Sequence, residues 1–118
     1  MPIVKVYGLL GNFEGNGRLA ELKQLLAKVT ADNVPHLSAR EVTVFFPPDM
    51  DPDVGKECII FVDGLFNNEE RTPIVRGKLA LGLVAALGKF LAEHALAKRL
   101  IECFVRPSDP RDGFAAGS

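Results

Sequence analysis

The sequence is poor in the features that mark several large classes of protein. It has two cysteines, no tryptophan and one tyrosine, and its formal net charge is −1. The two cysteines have no spacing typical of zinc ligands, so we expect free, buried thiols at Cys58 and Cys103. The near-neutral charge gives no electrostatic reason to expect nucleic acid or an anionic membrane as a partner.

Long apolar runs and targeting signals are also missing. The longest apolar stretch, 79–87, is interrupted by glycine and is too short to span a bilayer. No charged n-region precedes an apolar segment, so we expect a cytoplasmic protein without a signal peptide. No cofactor or metal is predicted, because the run Asp49, Asp51 and Asp53 lacks the glycine and the terminal glutamate of an EF-hand loop.

What the sequence does contain is a strand–helix–strand pattern that occurs twice. Strand patterns at 2–10 and 40–46 flank a helical pattern at 18–30. Strand patterns at 57–66 and 98–106 flank a second helix, which is predicted from Pro73 to about His94 with Thr72 as its N-cap.

The two halves also match in sequence. Val6-Tyr7-Gly8-Leu9-Leu10 corresponds to Val62-Asp63-Gly64-Leu65-Phe66, and REVTVFFPPD, from Arg40, corresponds to RLIECFVRPSD, from Arg99. We therefore predict a single domain over 1–118 with pseudo-repeats at about 2–49 and 57–109.

This pattern predicts an α/β fold in which two tandem β-α-β units form a four-stranded sheet with both helices on one face. The other face still carries apolar side chains, among them Phe45, Phe61 and Phe104. Nothing remains in the chain to cover that face. We therefore expect an oligomer.

Pro2 is the candidate catalytic residue. Removal of Met1 would leave Pro2 with a free secondary amine, and an unperturbed α-amino group titrates near ~8. An apolar pocket or a neighbouring cation lowers the pKa of such an amine, which makes it a general base at neutral pH. The alternative is that Pro2 merely opens an edge strand, where its missing N–H costs nothing.

The Met-Pro start, the two tandem units and the uncovered sheet face together resemble the tautomerase superfamily. The two-unit chain is most similar to the group typified by macrophage migration inhibitory factor, and to small bacterial members of unknown function. The resemblance implies a homotrimer whose sheets form a barrel with the helices outside. It also implies that the Pro2 amine moves a proton between carbon and oxygen in a small 2-oxo or enol acid. Cys58 takes the Pro2-equivalent place in the second half, so each subunit would have one proline site.

A substrate that bears a carboxylate needs a cation to hold it. Arg106, at the end of the last strand, and Arg40, at the second strand, are the main candidates. Arg76 is a third, because a cation in the first turn of a helix gains nothing from the helix dipole. Lys5 would lower the pKa of Pro2, and the Tyr7 hydroxyl would orient an enol. The alternatives are solvation or local pairing for the cations and packing for Tyr7.

Two departures from the resembling families favour a second hypothesis. In the oxalocrotonate branch an arginine on the second strand grips the substrate, whereas a gapless alignment puts Glu41 there and Arg40 one residue early. In the cytokine-like branch a tyrosine and an asparagine on the fourth strand line the pocket, whereas Ile101 and Cys103 take those places here. The alternative function is therefore a non-catalytic trimeric ligand-binding or scaffold protein with the same fold.

Overall fold

A computed structural model describes residues 2–9, 18–47, 57–94 and 100–117. It contains four strands and two α-helices in the predicted order. Their bounds, with that of a short 3-10 helix, are β1 (Ile3–Tyr7), α1 (Arg18–Asn33), the 3-10 helix (Ala39–Glu41), β2 (Thr43–Phe45), β3 (Glu57–Phe66), α2 (Pro73–Glu93) and β4 (Leu100–Ser108).

The strands form one mixed sheet in the order β2-β1-β3-β4. Each strand–helix–strand unit contributes a parallel pair, β1 with β2 and β3 with β4, and the two pairs join through antiparallel β1 and β3. The predicted α/β fold with four strands is therefore confirmed. Parallel pairing within each unit follows from the helical crossover, whereas the antiparallel junction was not predicted from the sequence.

The core lies between the sheet and the two helices, which share one face. Alternate strand residues such as Val4, Val6, Ile60 and Val62 are buried, because side chains alternate between the faces of a strand. They belong to one core cluster with the apolar stripes of the helices. The helical members that are fully buried are Leu22, Leu26, Leu79, Leu83 and Leu87.

Pro2 does not open an edge strand, so that interpretation of the Met-Pro start is wrong. β1 lies between β2 and β3, and it is hydrogen-bonded on both sides. The Pro2 carbonyl accepts a hydrogen bond from the backbone N–H of Thr43 over 3.1 Å. The proline thus precedes an interior strand and takes part in the β1–β2 pairing through its carbonyl.

The second strand is shorter than predicted and begins at Thr43 instead of Arg40. Ser38 caps the 3-10 helix, and the Glu41 side chain accepts a hydrogen bond from the Ser38 N–H over 3.2 Å. This capping box holds Arg40 in a helical turn. The fourth strand continues past Arg106 to Ser108, and it tolerates Pro107 because β4 is an edge strand.

Two glycines at matching positions of the halves have the left-handed backbone. Gly8 has φ +90° and Gly64 has φ +74°. Gly64 coincides with a register shift between Val62 and Leu65 on β3, which is a β-bulge. Because of this bulge Leu65 returns to the buried face, and the strand ends close to the start of β1.

Within a single chain, none of the described elements covers the face opposite the helices. We call it the open face. Among its side chains Phe45 is 50% exposed and Phe104 is 47% exposed. This matches the expectation of an apolar face that the chain itself does not cover. Neither helix of the described residues is long and apolar enough to cross a membrane.

Candidate active site at the Pro2 end of the sheet

Pro2 is fully buried and lies on the helix side of the sheet. Its exposure is under 2%, and strand alternation puts it on the same face as Val4 and Val6. Met1 lies outside the described residues. The first described residue is therefore Pro2, whose buried ring directly precedes β1.

Several elements meet at this point, which we call the Pro2 end of the sheet. β1 and β2 begin there, while β3 and β4, which run the opposite way to β1, finish there. Helix α2 begins there too, because it follows β3. The two units also meet at this end through a polar contact, in which Nε2 of His36, after α1, lies 3.3 Å from a carboxylate oxygen of Glu70, before α2.

Arginine is concentrated at the Pro2 end. Of the six arginines that the structure describes, five are on elements or loops that meet there: Arg40, Arg71, Arg76, Arg106 and Arg111. They include all three arginines proposed from the sequence. The topology thus brings the predicted cations to the end of the sheet that carries Pro2, although each has different surroundings.

Arg106 is already paired. It donates from Nε and one Nη to the two carboxylate oxygens of Asp63, each over 2.6 Å, and its guanidinium lies 4.4 Å from the centre of the Phe61 ring. The hydrogen bonds to Asp63 raise the pKa of Arg106 above its usual value. A bidentate, stacked arginine is held in one orientation. Any substrate carboxylate would have to compete with Asp63 for it.

Arg40 is free of such partners. It lies exposed in the 3-10 helix, directly before β2, and within the described parts of the chain its guanidinium makes no hydrogen bond or ion pair. Because β2 begins beside β1, this turn lies next to the start of β1. An unpaired guanidinium at that place is available to an anion.

Arg71 was missed by the sequence analysis. It precedes the N-cap Thr72 and donates from Nη1 to the Phe66 carbonyl over 3.0 Å, while Arg76 donates to the Arg71 carbonyl over 2.5 Å. The Arg71 Nε is buried and has no hydrogen-bond partner in the described structure. A buried, unpaired donor is costly, and an anion would satisfy it.

The start of α2 adds backbone donors to these two arginines. Thr72 caps the helix as predicted, accepting a hydrogen bond from the Val75 N–H over 3.3 Å, and Pro73 follows it. The N-terminus of a helix attracts anions, whereas cations gain nothing from its dipole. The same signal that singled out Arg76 in the sequence therefore applies to Arg71, one residue before the cap.

Lys5 and Tyr7 lie on the open face, on the opposite side of the sheet from Pro2. The Lys5 ammonium is 3.6 Å from the Asp63 carboxylate, and the Tyr7 ring packs edge-on against Phe61 with centroids 5.8 Å apart. Both residues line a pocket of about 340 Å³, together with Phe45, Phe46 and Pro47. Within one chain, the structure does not bring these two residues together with Pro2.

The described residues contain no cluster of His, Cys, Asp or Glu side chains that could hold a metal ion. The aspartate run at 49–53 lies outside the described residues.

Sequence comparison finds no relative. No protein-family model matches the chain, and none of the curated proteins matches it. Comparison of structures gives a different result. A fused 4-OT described as an asymmetric trimer superposes with a TM-score of 0.71 at 16% identity, over 98% of this chain and 94% of that one.

Two further solved structures superpose on this chain over most of their length. N1, a member of the cis-3-chloroacrylic acid dehalogenase family, gives a TM-score of 0.67 at 16% identity, over 98% of this chain and 81% of that one. A 5-carboxymethyl-2-hydroxymuconate delta-isomerase gives 0.67 at 11% identity, over 100% and 88% of the two chains. The chain has the tautomerase-superfamily fold. The resemblance predicted from the sequence is therefore confirmed for the fold.

Ile101 and Cys103, which take the places of the polar β4 residues of the cytokine-like branch, face the helices. Both pack against the core cluster, and Cys103 is half-buried. Burial raises the pKa of the Cys103 thiol to about 12. Cys58, the counterpart of Pro2, is fully buried, and its thiol lies 3.7 Å from the Gly8 carbonyl. Neither cysteine forms a disulfide, as predicted, but only Cys58 is fully buried.

Proposed function

We propose that the protein is a tautomerase-like enzyme in which the N-terminal amine of Pro2, after removal of Met1, acts as general base. It would move a proton between carbon and oxygen in a small 2-oxo or enol acid. The observation that carries this proposal is a buried Pro2 at the end of the sheet where five arginines collect. Burial and nearby cations both lower the pKa of an amine, so its unprotonated form would be present at neutral pH.

The substrate would be held by its carboxylate. Arg71 and Arg76, at the start of α2, and the unpaired Arg40 are the cations that best fit this role. Arg106 fits less well within one chain, because its Nε and one Nη already donate to the Asp63 carboxylate. Lys5 and Tyr7 would take part only at a site that a second copy completes, since they lie on the open face.

We propose a homotrimer as the working form. The exposed apolar side chains of the open face support an oligomer, and two superposing fused 4-OT structures are described as trimers. In a closed ring the open faces would turn inward and the helices outward. Each Pro2 end would then lie next to the neighbouring subunit.

The second candidate is a non-catalytic trimeric ligand-binding or scaffold protein. It is favoured by the apolar character of Ile101 and Cys103, which leaves β4 without polar groups on its helix side at these positions. An arginine-rich Pro2 end would then bind an anion without turning it over.

Chemical labelling distinguishes the enzyme from the non-catalytic protein. Intact mass would first show whether Met1 is lost. A halopropiolate would then label the free amine, and peptide mapping would show whether the adduct is on Pro2 or on a cysteine. Turnover of phenylenolpyruvate would be compared between the natural protein and Pro2→Ala, in which a primary amine replaces the secondary one. We expect an adduct on Pro2 and at least about a hundredfold loss of kcat/KM in Pro2→Ala. Retained Met1, or equal turnover by both proteins, would overturn the enzymatic proposal.

A further inference from the structure

We propose that His36 is a positioning residue, which holds the Glu70 carboxylate away from the guanidinium of Arg71. The inference rests on the proposed function, in which Arg71 and Arg76 at the start of α2 bind the carboxylate of the substrate. We call these two arginines the anion site. The inference adds why the anion site is not neutralised by the acidic residues that precede it in the chain. His36 itself would not contact the substrate.

Two glutamates come directly before Arg71 in the sequence. Glu69 and Glu70 are exposed and lie in the turn that leads into α2. The positive end of the helix dipole and the nearby guanidinium groups both attract carboxylates. Within the described ranges, however, neither arginine of the anion site forms an ion pair. Their recorded hydrogen bonds go to backbone carbonyls, from Arg71 to Phe66 and from Arg76 to Arg71.

Glu70 has a different partner, which belongs to the first unit of the chain. Nε2 of His36 lies 3.3 Å from a carboxylate oxygen of Glu70, and an ionised carboxylate only accepts, so Nε2 is the donor. The backbone at Glu70 is fixed separately. The Asn68 side chain accepts hydrogen bonds from the N–H groups of Glu70, over 2.9 Å, and of Arg71, over 3.0 Å. The contact with His36 therefore sets the direction of a side chain whose backbone is already in place.

The backbone at His36 supports a role beyond surface packing. With a φ of +60°, His36 is the one residue other than glycine that has the left-handed conformation in the described parts of the chain. This conformation costs energy for any residue with a side chain, although histidine tolerates it better than most. Val34, two residues earlier, is 3% exposed and belongs to the core cluster. The strained turn thus leads from a buried residue to the contact with Glu70.

The energy of the contact limits the effect that it can have. The side chains of His36 and Glu70 are 81% and 53% exposed, so solvent screens their attraction. A pair of this kind changes an equilibrium by at most about fivefold. If the contact were lost, the Glu70 carboxylate would be free to turn towards Arg71, whose buried Nε has no partner in the described structure. It would then compete with the carboxylate of a substrate, which lowers affinity and leaves the chemical step unchanged.

A double-mutant cycle tests the positioning role. KM and kcat on phenylenolpyruvate would be measured for His36→Asn, Glu70→Gln and the double variant. Asparagine also tolerates the left-handed backbone, but it has no group at the position of Nε2. We expect His36→Asn to raise KM about three- to fivefold and to leave kcat unchanged. In the Glu70→Gln background the same substitution should have no effect, because the carboxylate that it would release is gone.

Two further variants separate this contact from other effects. Glu69→Gln removes the same charge from the same turn and leaves the contact intact, so His36→Asn should still raise KM in that background. His36→Gly removes the contact and also relieves the backbone strain. We expect it to raise KM as much as His36→Asn does. Thermal unfolding would show that each variant is folded.

An unchanged KM in His36→Asn, or a rise that persists in the Glu70→Gln background, would overturn the proposal. Calorimetric titration with 3-phenylpropanoate, a carboxylate that cannot tautomerise, repeats the cycle without chemistry. If binding follows the cycle in a protein that has no turnover, the positioning role stands and the enzymatic proposal alone is wrong. If the natural protein neither turns over phenylenolpyruvate nor binds 3-phenylpropanoate, both proposals are wrong.

Discussion

Lys5 and Phe61 lie directly opposite each other on antiparallel β1 and β3, and they also occupy corresponding positions in the two halves of the sequence. A local twofold axis therefore passes between them. The same relation pairs Ile3 with Asp63 and Tyr7 with Ile59. The two ends of the sheet therefore have similar backbones but different side chains. Pro2 at one end corresponds to Cys58 at the other, and Asp63 corresponds to Tyr7.

The left-handed turn at Gly8 gives the first prediction. An added Cβ at Gly8 would collide with the Glu57 carbonyl, and its φ of +90° disfavours any other residue. We expect Gly8→Ala to lower the free energy of unfolding by about 2 kcal/mol or more. Urea denaturation would measure it, with Gly77→Ala as the control.

Gly77 is helical, and a Cβ there would have no atom within 4 Å. Because alanine has the higher helix propensity, Gly77→Ala should stabilise the protein by up to about 1 kcal/mol. Equal effects of the two substitutions would contradict the proposed role of the Gly8 turn.

The ion pairs of Asp63 give a second prediction. Asp63→Asn would leave Arg106 and Lys5 as neighbouring cations without their shared carboxylate. Since Arg106 is half-exposed, solvent screens the pair, and we expect a loss of about 1 kcal/mol or less. The loss should shrink at high salt. Thermal unfolding at two salt concentrations measures it, and a loss independent of salt would mean that packing, not charge, is responsible.

Much of the fold could be predicted because the periodicity is local. The apolar stripe of α1, the Thr72-Pro73 start of α2 and the continuous apolar run of β3 each specify an element within their own residues. The antiparallel junction of β1 and β3 and the short β2 could not be predicted in the same way. The first depends on how the two units meet, and the second on a capping box at Ser38 that competes with strand pairing.

The candidate site was harder to predict. Pro2 and Arg76 were singled out by their position relative to a chain end and a helix dipole, which are local properties. The pairing of Arg106 with Asp63 is not local, because the two residues meet only through β3–β4 pairing and the bulge at Gly64. The separation of Lys5 from Pro2 does follow from strand alternation, which puts neighbouring odd and even positions on opposite faces.

The half-buried thiol of Cys103 gives a third prediction. Burial raises its pKa to about 12 in the folded chain, whereas a thiol in an unfolded chain titrates near ~8.5. The folded state thus favours the protonated thiol. Its contribution to stability is complete below the unfolded pKa and is lost as the pH rises towards about 12.

We expect Cys103→Ala to lose less stability than the natural protein between neutral and strongly alkaline pH. Denaturation at several pH values measures this. Thiol titration with Ellman's reagent at mildly alkaline pH should be slow in the folded protein and complete after denaturation. Rapid reaction of Cys103 in the folded state would contradict its burial.

The buried Nε of Arg71 gives the last prediction. If Arg71 grips the carboxylate of an enol acid, Arg71→Gln should raise KM by about 10- to 100-fold, the range expected for a lost hydrogen bond to a charged group, and change kcat less. Arg111→Gln is the matched control, because Arg111 lies at the same end of the sheet but is highly exposed and paired with Asp109 over 3.1 Å. Steady-state kinetics on phenylenolpyruvate would measure both variants, and thermal unfolding would show that both are folded. If the Arg71 and Arg111 variants had the same KM as the natural protein, the substrate carboxylate would have to lie elsewhere, and the unpaired Arg40 would be the next residue to replace.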